Sequence, residues 1–288
     1  WERRFPIGGL RLLSSERSAG GRMDTPFGNA ELGLACETAF EGADIVLGAA
    51  ENDIARRFAP AIRAAGAVFV DNSSAFRMDP DVPLVVPEIN PDDALKHNGI
   101  ISNPNCSTIQ AMVALKPLND AFGIKRVIYT TFQAVSGAGV KGYADLECGM
   151  NAFAEGKSEY ELKKFPHPIA GNCLPEIDVL LDNGYYKEEQ KMIDETHKIL
   201  HAPDMKVTAT CVRVPVFYGH SESVNIEFEK PATPEQVREV LEKAKGVVVV
   251  DDPANHVYPT ALECADKDEV FVGRIRKDYT VDLSLIHI

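Results

Sequence analysis

ADIVLGAAENDIARRFAPAIRAAGAVFVDNSS, residues 43–74, sets an apolar run, a helix-like segment and a second apolar run in immediate succession. ADIVLGAA (43–50) and AVFVDNSS (67–74) have the length and the β-branched content of buried strands. DIARRFAPAIRAAG (53–66) between them reads as a helix closed by Gly66. Strands alternating with helices in this way indicate a parallel sheet with crossover connections. Working outward, LRLLSS (10–15) reads as a strand running into a polar turn, and LVVPEIN (84–90) as a fourth strand. GIISNPN (99–105) leads into STIQAMVALKPL (107–118). Ligands of open α/β sheets gather beyond the carboxyl ends of the strands. The polar turns SSERSAG, DNSSAFR and SNPNCS all fall there.

From about residue 125 the pattern changes. KRVIYTTFQAVS (125–136) and KVTATCVRVPVFYGHSESVNIEFEK (206–230) are long and rich in β-branched and aromatic residues, as in a mixed or antiparallel sheet. Helices are expected at GYADLECGMNAFAEGK (142–157), KEEQKMIDETHKIL (187–200) and TPEQVREVLEKAK (233–245), the last opened by a Thr233/Gln236 capping box. The fold class is therefore α/β. It combines a parallel-sheet domain over 1–105 with an α+β domain with a mixed sheet over 106–272; the family resemblance carried by the motifs below implies a Rossmann-type dinucleotide-binding role for the first and a catalytic and dimerisation role for the second.

The 288 residues carry a net charge of −13, with 43 acidic residues against 30 Lys plus Arg. No basic block stands out, which disfavours a nucleic-acid partner and leaves a small anionic substrate open. The six cysteines, Cys36, Cys106, Cys148, Cys173, Cys211 and Cys264, include no CxxC pair. Such spacing speaks against zinc and a disulfide framework, and suits a reducing, cytoplasmic compartment. No apolar run approaches the roughly 20 residues of a membrane span. The chain opens at Trp1 rather than Met and stops after a strand-like run, so both ends read as cut and a targeting segment stays open.

Cys106 lies behind an Asn-Pro-Asn turn, with the helix expected from Ser107. A helix N-terminus presents free N–H groups and favours thiolate, so Cys106 is either a nucleophile or a small buried filler. His220, after Gly219, is either a proton carrier for that thiol or a surface-loop histidine. Arg77, beyond a strand end, and Arg213, inside an apolar strand, each need an anionic ligand or a structural ion pair. Glu188 and Lys191 are spaced i,i+3, which by itself means a surface pair. Ser15, Arg17 and Ser18 form either a solvated turn or, through the arginine, a site for a 2′-phosphate, which favours NADP over NAD. SGAGVKG (136–142), with Ser136 and Gly137, lets backbone approach a cofactor.

Several of these stretches, in this order, resemble the aspartate-semialdehyde dehydrogenase family in its bacterial form. The carriers are SNPNCST around Cys106, FQAVSGAG with Gln133, VRVPVFYGHSE with Arg213 and His220, DNSSAFRMDPDVPLVVPEIN with Arg77, and EEQKM with Glu188 and Lys191. The resemblance runs from FPIGGLRLLSSERSAG to DEVFVGRIRKDYTVD, nearly the whole chain. It implies reversible, phosphorylating oxidation of L-aspartate 4-semialdehyde to 4-aspartyl phosphate, run in reverse in the cell to feed lysine, methionine and threonine synthesis. Cys106 is then the nucleophile that forms a thioester, His220 the general acid/base, and Gln133 the residue positioning substrate beside the thiol. Arg213 matches the residue on the α-carboxylate, Glu188 the one near the amino group, and Arg77, Lys191 and Asn105 the phosphate site. Arg17 and Ser18 match contacts to the 2′-phosphate of NADP, with Ser15 in the same cofactor-binding turn, and Ser136 and Gly137 lie by the cofactor. No metal is needed, and a homodimer or a dimer of dimers is expected.

The family's first strand and glycine-rich turn would precede Trp1. AAEND (49–53) stands where relatives often carry glycine, and 273–288 is expected to start a return to the first domain, ending in an atypical tail. Two alternatives remain at this stage. One is N-acetyl-γ-glutamyl-phosphate reductase, a family that places Gly before the cysteine and an aromatic after it, where Asn105 and Ser107 stand here. The other is a catalytically dead scaffold or binding module on the same fold.

Overall fold

The structure is a computed structural model that describes residues 5–157, 160–280 and 283–288, so the chain start at Trp1 lies outside it. The chain divides into two compact units. The first runs to Pro83 and includes Lys96–Asn103; the second comprises Leu84–Leu95 and Pro104–Ile288.

In the first unit, β4 (Ile45–Gly48), β5 (Val68–Asp71) and β6 (Ile100–Ser102) form the expected parallel sheet. The crossover helix α1 (Asn52–Ala64) buries Ala55, Phe58, Ala59 and Ile62, an i, i+3, i+4, i+7 stripe, in a core with Phe40, Phe69 and Phe76. Gly66 takes φ 78°, a left-handed turn that lets the chain leave the helix and enter β5. A second sheet joins β1 (Leu12–Ser14), β2 (Arg22–Thr25) and β3 (Gly28–Leu34). Here β1 runs parallel to β3, and β2 and β3 make a hairpin that the sequence reading did not contain.

The fourth strand expected at 84–90 does not form, and these residues belong to the second unit. Pro87 cannot donate to a ladder, and the Asn90 side chain closes a turn instead. Its Oδ1 accepts from Val86 N at 2.8 Å and its Nδ2 donates to Leu84 O at 2.9 Å.

The second unit is organised around α2 (Cys106–Phe122), whose Ala111, Met112, Ala114, Leu115 and Leu118 are fully buried. Each large apolar side chain so buried contributes about 1.5–3 kcal/mol, which anchors the helix that begins at Cys106. Its sheet has the order β10 (Val247–Val249), β11 (Val270–Asp278), β12 (Leu283–His287), β9 (Ser221–Phe228), β7 (Ile124–Gln133), β8 (Lys206–Arg213). The sheet is mixed as expected: β7 pairs parallel with β8 and antiparallel with β9. Residues 273–288, expected to start a return to the first domain, lie within this unit, with β12 between β11 and β9.

The helices α3 (Gly139–Ala154), α4 (Lys187–Ile199) and α5 (Pro234–Glu242) fall where the sequence places them, and the Thr233/Gln236 capping box is present. On the buried face of the sheet, alternate residues grade from apolar to polar toward one end. Tyr129, Ala209 and Val224 give way to Thr131, Cys211 and Glu222, and then to Gln133 opposite Arg213.

Candidate active site

Asn105 has extended backbone (φ −60°, ψ 143°) and caps α2, its Oδ1 accepting from Ser107 N at 2.9 Å. The helix therefore begins at Cys106, one residue before the expected start, and that cysteine reaches solvent. Asn105 is buried and gripped from α4. Its Nδ2 donates to Glu188 Oε1 at 2.8 Å and its backbone N–H to Glu195 Oε2 at 2.7 Å. Gln133 Nε2 donates to the same Glu188 oxygen at 3.0 Å. Lys191 Nζ bonds Glu188 Oε2 at 3.1 Å and Asp178 Oδ2 at 2.9 Å. Glu188 and Lys191 thus do pair, but with the carboxylate turned inward rather than on the surface.

The turn after Gln133 gathers the remaining groups. Arg213 Nη1 donates to Ala134 O at 2.7 Å, and Ala134 N–H donates to His220 Nδ1 at 3.0 Å. His220 stands at the end of the loop between β8 and β9 and is half-buried. Arg213 is buried, its Nε has no partner, and it forms no ion pair among the described residues. A guanidinium so placed is short of an anion. Gly137 leaves the space this requires: a Cβ there would lie 3.1 Å from Arg213 Nη1 and 3.3 Å from His220 Nε2.

Burial and the Glu188 carboxylate raise the Cys106 pKa, while Ser107 N–H and Arg213 act to lower it. The resting group is the thiol, not the thiolate that the helix start alone favours. Burial, with Arg213, pushes His220 down to about 4, so its ring is neutral at pH 7. Because Nδ1 accepts from Ala134, the ring proton sits on Nε2, the edge beside Gly137. Burial disfavours the charge of Glu188, but Lys191, Asn105 and Gln133 outweigh it and hold the carboxyl below its ordinary pKa. Burial likewise opposes the Lys191 charge, and Glu188 with Asp178 overrides it and holds the pKa above normal. Beneath these groups, burial pushes Glu222 up to about 8, and its Oε1 accepts from Gln110 at 2.8 Å.

Cys106, Asn105, Gln133, Glu188, Lys191, Arg213 and His220 thus meet in the second unit. Ser136 and Gly137 lie in the turn directly after Ala134. Ser15, Arg17, Ser18 and Arg77 belong to the first unit. Ser15, Arg17 and Ser18 are exposed in the turn after β1, where Ser18 N–H bonds Ser15 O at 2.9 Å and Arg17 has no partner among the described residues. An unpaired arginine flanked by serine hydroxyls fits a phosphate-bearing dinucleotide. Arg77 is buried, with Nε on Ser73 O at 3.1 Å and Nη2 on Asn72 O at 2.9 Å. Sequence reasoning missed Asp178, Glu195 and the Gln110–Glu222 pair. The signal available for Glu195 was its place seven residues after Glu188, on the same helix face.

Residues 2–97 match the family described as semialdehyde dehydrogenase, NAD binding domain, and residues 115–288 match semialdehyde dehydrogenase, dimerisation domain. The aspartate-semialdehyde dehydrogenase of Aquifex aeolicus is 54% identical over 282 residues, spanning 96% of this chain and 82% of the relative. That of Bacillus subtilis is 46% identical over 285 residues, with the same coverage of 96% and 82%. Aspartate semialdehyde dehydrogenase II of Vibrio cholerae, solved in complex with ASA, superposes with a TM-score of 0.95 at 42% identity, covering 99% of this chain and 85% of that one. The Candida albicans enzyme solved with NADP gives 0.73 at 26% identity, covering 99% and 86%. The two units are those of an oxidoreductase with a nicotinamide dinucleotide cofactor, and these relatives do not favour the reductase or scaffold alternatives. The chain belongs to the aspartate-semialdehyde dehydrogenase family.

Proposed function

We propose that this chain reversibly converts 4-aspartyl phosphate to L-aspartate 4-semialdehyde, with NADP as cofactor and a thioester on Cys106 as the covalent intermediate. The observation that carries this is Cys106 at the solvent-reaching start of a buried helix, within the field of the buried, unpaired Arg213. A thiol of this kind adds to an aldehyde carbon, and its thioester keeps the oxidation energy until phosphate takes the acyl group.

The assignments follow from the partners of each group. Arg213, oriented by Ala134 O, takes the substrate α-carboxylate, and Gln133, fixed by Glu188, sets the carbonyl beside Sγ. Glu188 supplies the negative field for the substrate amino group. The Cys106 thiol first loses its proton to solvent at the exposed helix start; the thiolate then attacks, an S–C bond forms as the carbonyl π bond breaks, and the carbonyl oxygen becomes an oxyanion. His220 Nε2–H donates to that oxyanion. The filled Nδ1 supports this donor role over uptake of the thiol proton. A nicotinamide cofactor, proposed here as NADP held through Arg17, Ser15 and Ser18, would supply the hydride acceptor in this direction and the hydride donor in the other. Phosphate then attacks the thioester, the C–S bond breaks, and Cys106 leaves as thiolate. Arg77 and Lys191, with Asn105, are proposed for phosphate on the strength of the resemblance, and Arg17 with Ser15 and Ser18 for the 2′-phosphate. Ser136 and Gly137 are proposed to lie by the cofactor.

Dimerisation through the second unit is expected, as a homodimer or a dimer of dimers, and six unpaired cysteines suit a cytoplasmic protein. The test is phosphate-dependent reduction of NADP with L-aspartate 4-semialdehyde. Turnover that requires phosphate and is absent from Cys106→Ser supports the reading; turnover of N-acetylglutamate semialdehyde alone contradicts it.

A further inference from the structure

Glu195 lies on α4 and is 1% exposed, yet none of the roles above uses it. Its Oε2 stands 2.7 Å from the backbone N of Asn105, a residue 90 positions earlier in the chain. An N-cap residue is not held by the helical ladder, and its own N–H has no intrahelical acceptor. Asn105 is 5% exposed, so water does not satisfy that N–H readily; the Glu195 side-chain oxygen at 2.7 Å does. Two turns earlier on the same helix face, Glu188 holds the Asn105 side chain at 2.8 Å. Between them the two glutamates hold both the side chain and the main chain of the residue that precedes Cys106. With Asn105 fixed, the first turn of α2 has one position, and Sγ has one place relative to Gln133 and Arg213.

We infer that Glu195 is a positioning residue for the nucleophile, acting through the backbone N–H of Asn105. The inference rests on the reading of Cys106 as the nucleophile, and it concerns reach rather than charge. An amide oxygen at the same distance serves as well, whereas a carboxylate one methylene shorter does not reach.

The experiment compares Glu195→Gln, Glu195→Asp and Glu195→Ala in the full chain. It reads kcat and KM with L-aspartate 4-semialdehyde, NADP and phosphate, and the rate of Cys106 alkylation by iodoacetamide followed by peptide mass. The Gln variant is expected to stay within about threefold of the parent in both rates. The Asp and Ala variants are expected to lose roughly 10- to 100-fold in kcat with KM little changed, because misplacing the reacting atom costs the chemical step and not binding. Their Cys106 alkylation rate is expected to depart from the parent's, since Sγ no longer holds its place relative to Glu188 and Arg213. An Asp variant at parental rates overturns the inference, as do equal losses in Gln and Asp, or parental kcat and alkylation in Ala. If the Ala variant does not fold, the contrast between Gln and Asp decides. If the parent fails to turn over the semialdehyde, the functional reading falls, and alkylation rates alone then decide the role of Glu195.

Discussion

Replacing Glu188 by Gln removes one negative charge and keeps the shape of the side chain. The carboxylate accepts from three donors: Asn105 Nδ2 at 2.8 Å, Gln133 Nε2 at 3.0 Å and Lys191 Nζ at 3.1 Å. A glutamine offers one acceptor oxygen and an amide group that only donates. The least costly arrangement leaves the oxygen with the two amide donors and turns the NH2 toward Lys191. One charge-assisted bond is then lost, worth about 1.5–3 kcal/mol in general. Lys191 keeps Asp178 at 2.9 Å and is partly exposed, so the expected loss is about 1–2 kcal/mol after solvent screening. Glu188→Ala also strands Asn105 Nδ2 and Gln133 Nε2, both buried, and is expected to cost about 3–5 kcal/mol. The sign with pH follows from the depressed folded pKa of Glu188. Its stabilisation is fully present above the ordinary 4.5 and is lost as pH falls through the lower folded value. Urea unfolding at pH 7 reads the order parent, Gln, Ala, and repetition at acid pH should bring parent and Gln together. A Gln variant as unstable as Ala refutes the shared-oxygen arrangement, and a gap unchanged in acid refutes the role of charge.

Three further outcomes follow from the same geometry. Cys106 alkylation in the unliganded protein should be slower at neutral pH than that of free cysteine and keep rising past pH 9.0, since burial and Glu188 raise its pKa; a plateau below that pH contradicts this. Gly137→Ala places a Cβ against Arg213 Nη1 and His220 Nε2, and kcat/KM should drop about tenfold or more with thermal stability nearly unchanged, because the residue is exposed. Parental kcat/KM would place those two groups outside the reaction. Arg17→Ala should raise the KM for NADP about tenfold, the loss of one charge-assisted phosphate bond, and leave that for NAD unchanged. Equal changes for both cofactors contradict the 2′-phosphate contact.

Much of the architecture was legible in residues 43–74, where length and composition separate strand from helix without help from the rest of the chain. The stretch 84–90 misled because its apolar run was weighted over Pro87, which already argues against a strand, and because the turn rests on side-chain bonds of Asn90 that no pattern displays. The β2–β3 hairpin stayed hidden because its strands, RMDT and GNAELGL, are mostly exposed and carry little apolar alternation. Within the site, the Asn-Pro-Asn turn marked the start of α2 to within one residue, but not the protonation state of Cys106, which depends on burial and on Glu188 from a distant helix. The same limit applies to α4. An i,i+3 Glu–Lys pair reads as solvated until the helix face that meets Asn105 is known, and no local pattern reveals that face. Glu195 acts on Asn105, 90 residues earlier, and only its spacing from Glu188 hints at it, while Asp178 meets Lys191 from outside α4, 13 residues before it, with no motif of its own.

The covalent role of Cys106 is tested most directly by trapping. The protein is mixed with NADP and L-aspartate 4-semialdehyde without phosphate, quenched in acid, and its peptides weighed. The account predicts an aspartyl thioester on the peptide carrying Cys106, formed together with one equivalent of reduced cofactor and discharged when phosphate is added before the quench. Reduced cofactor without any acyl mass on Cys106, or an adduct on another cysteine, would contradict it.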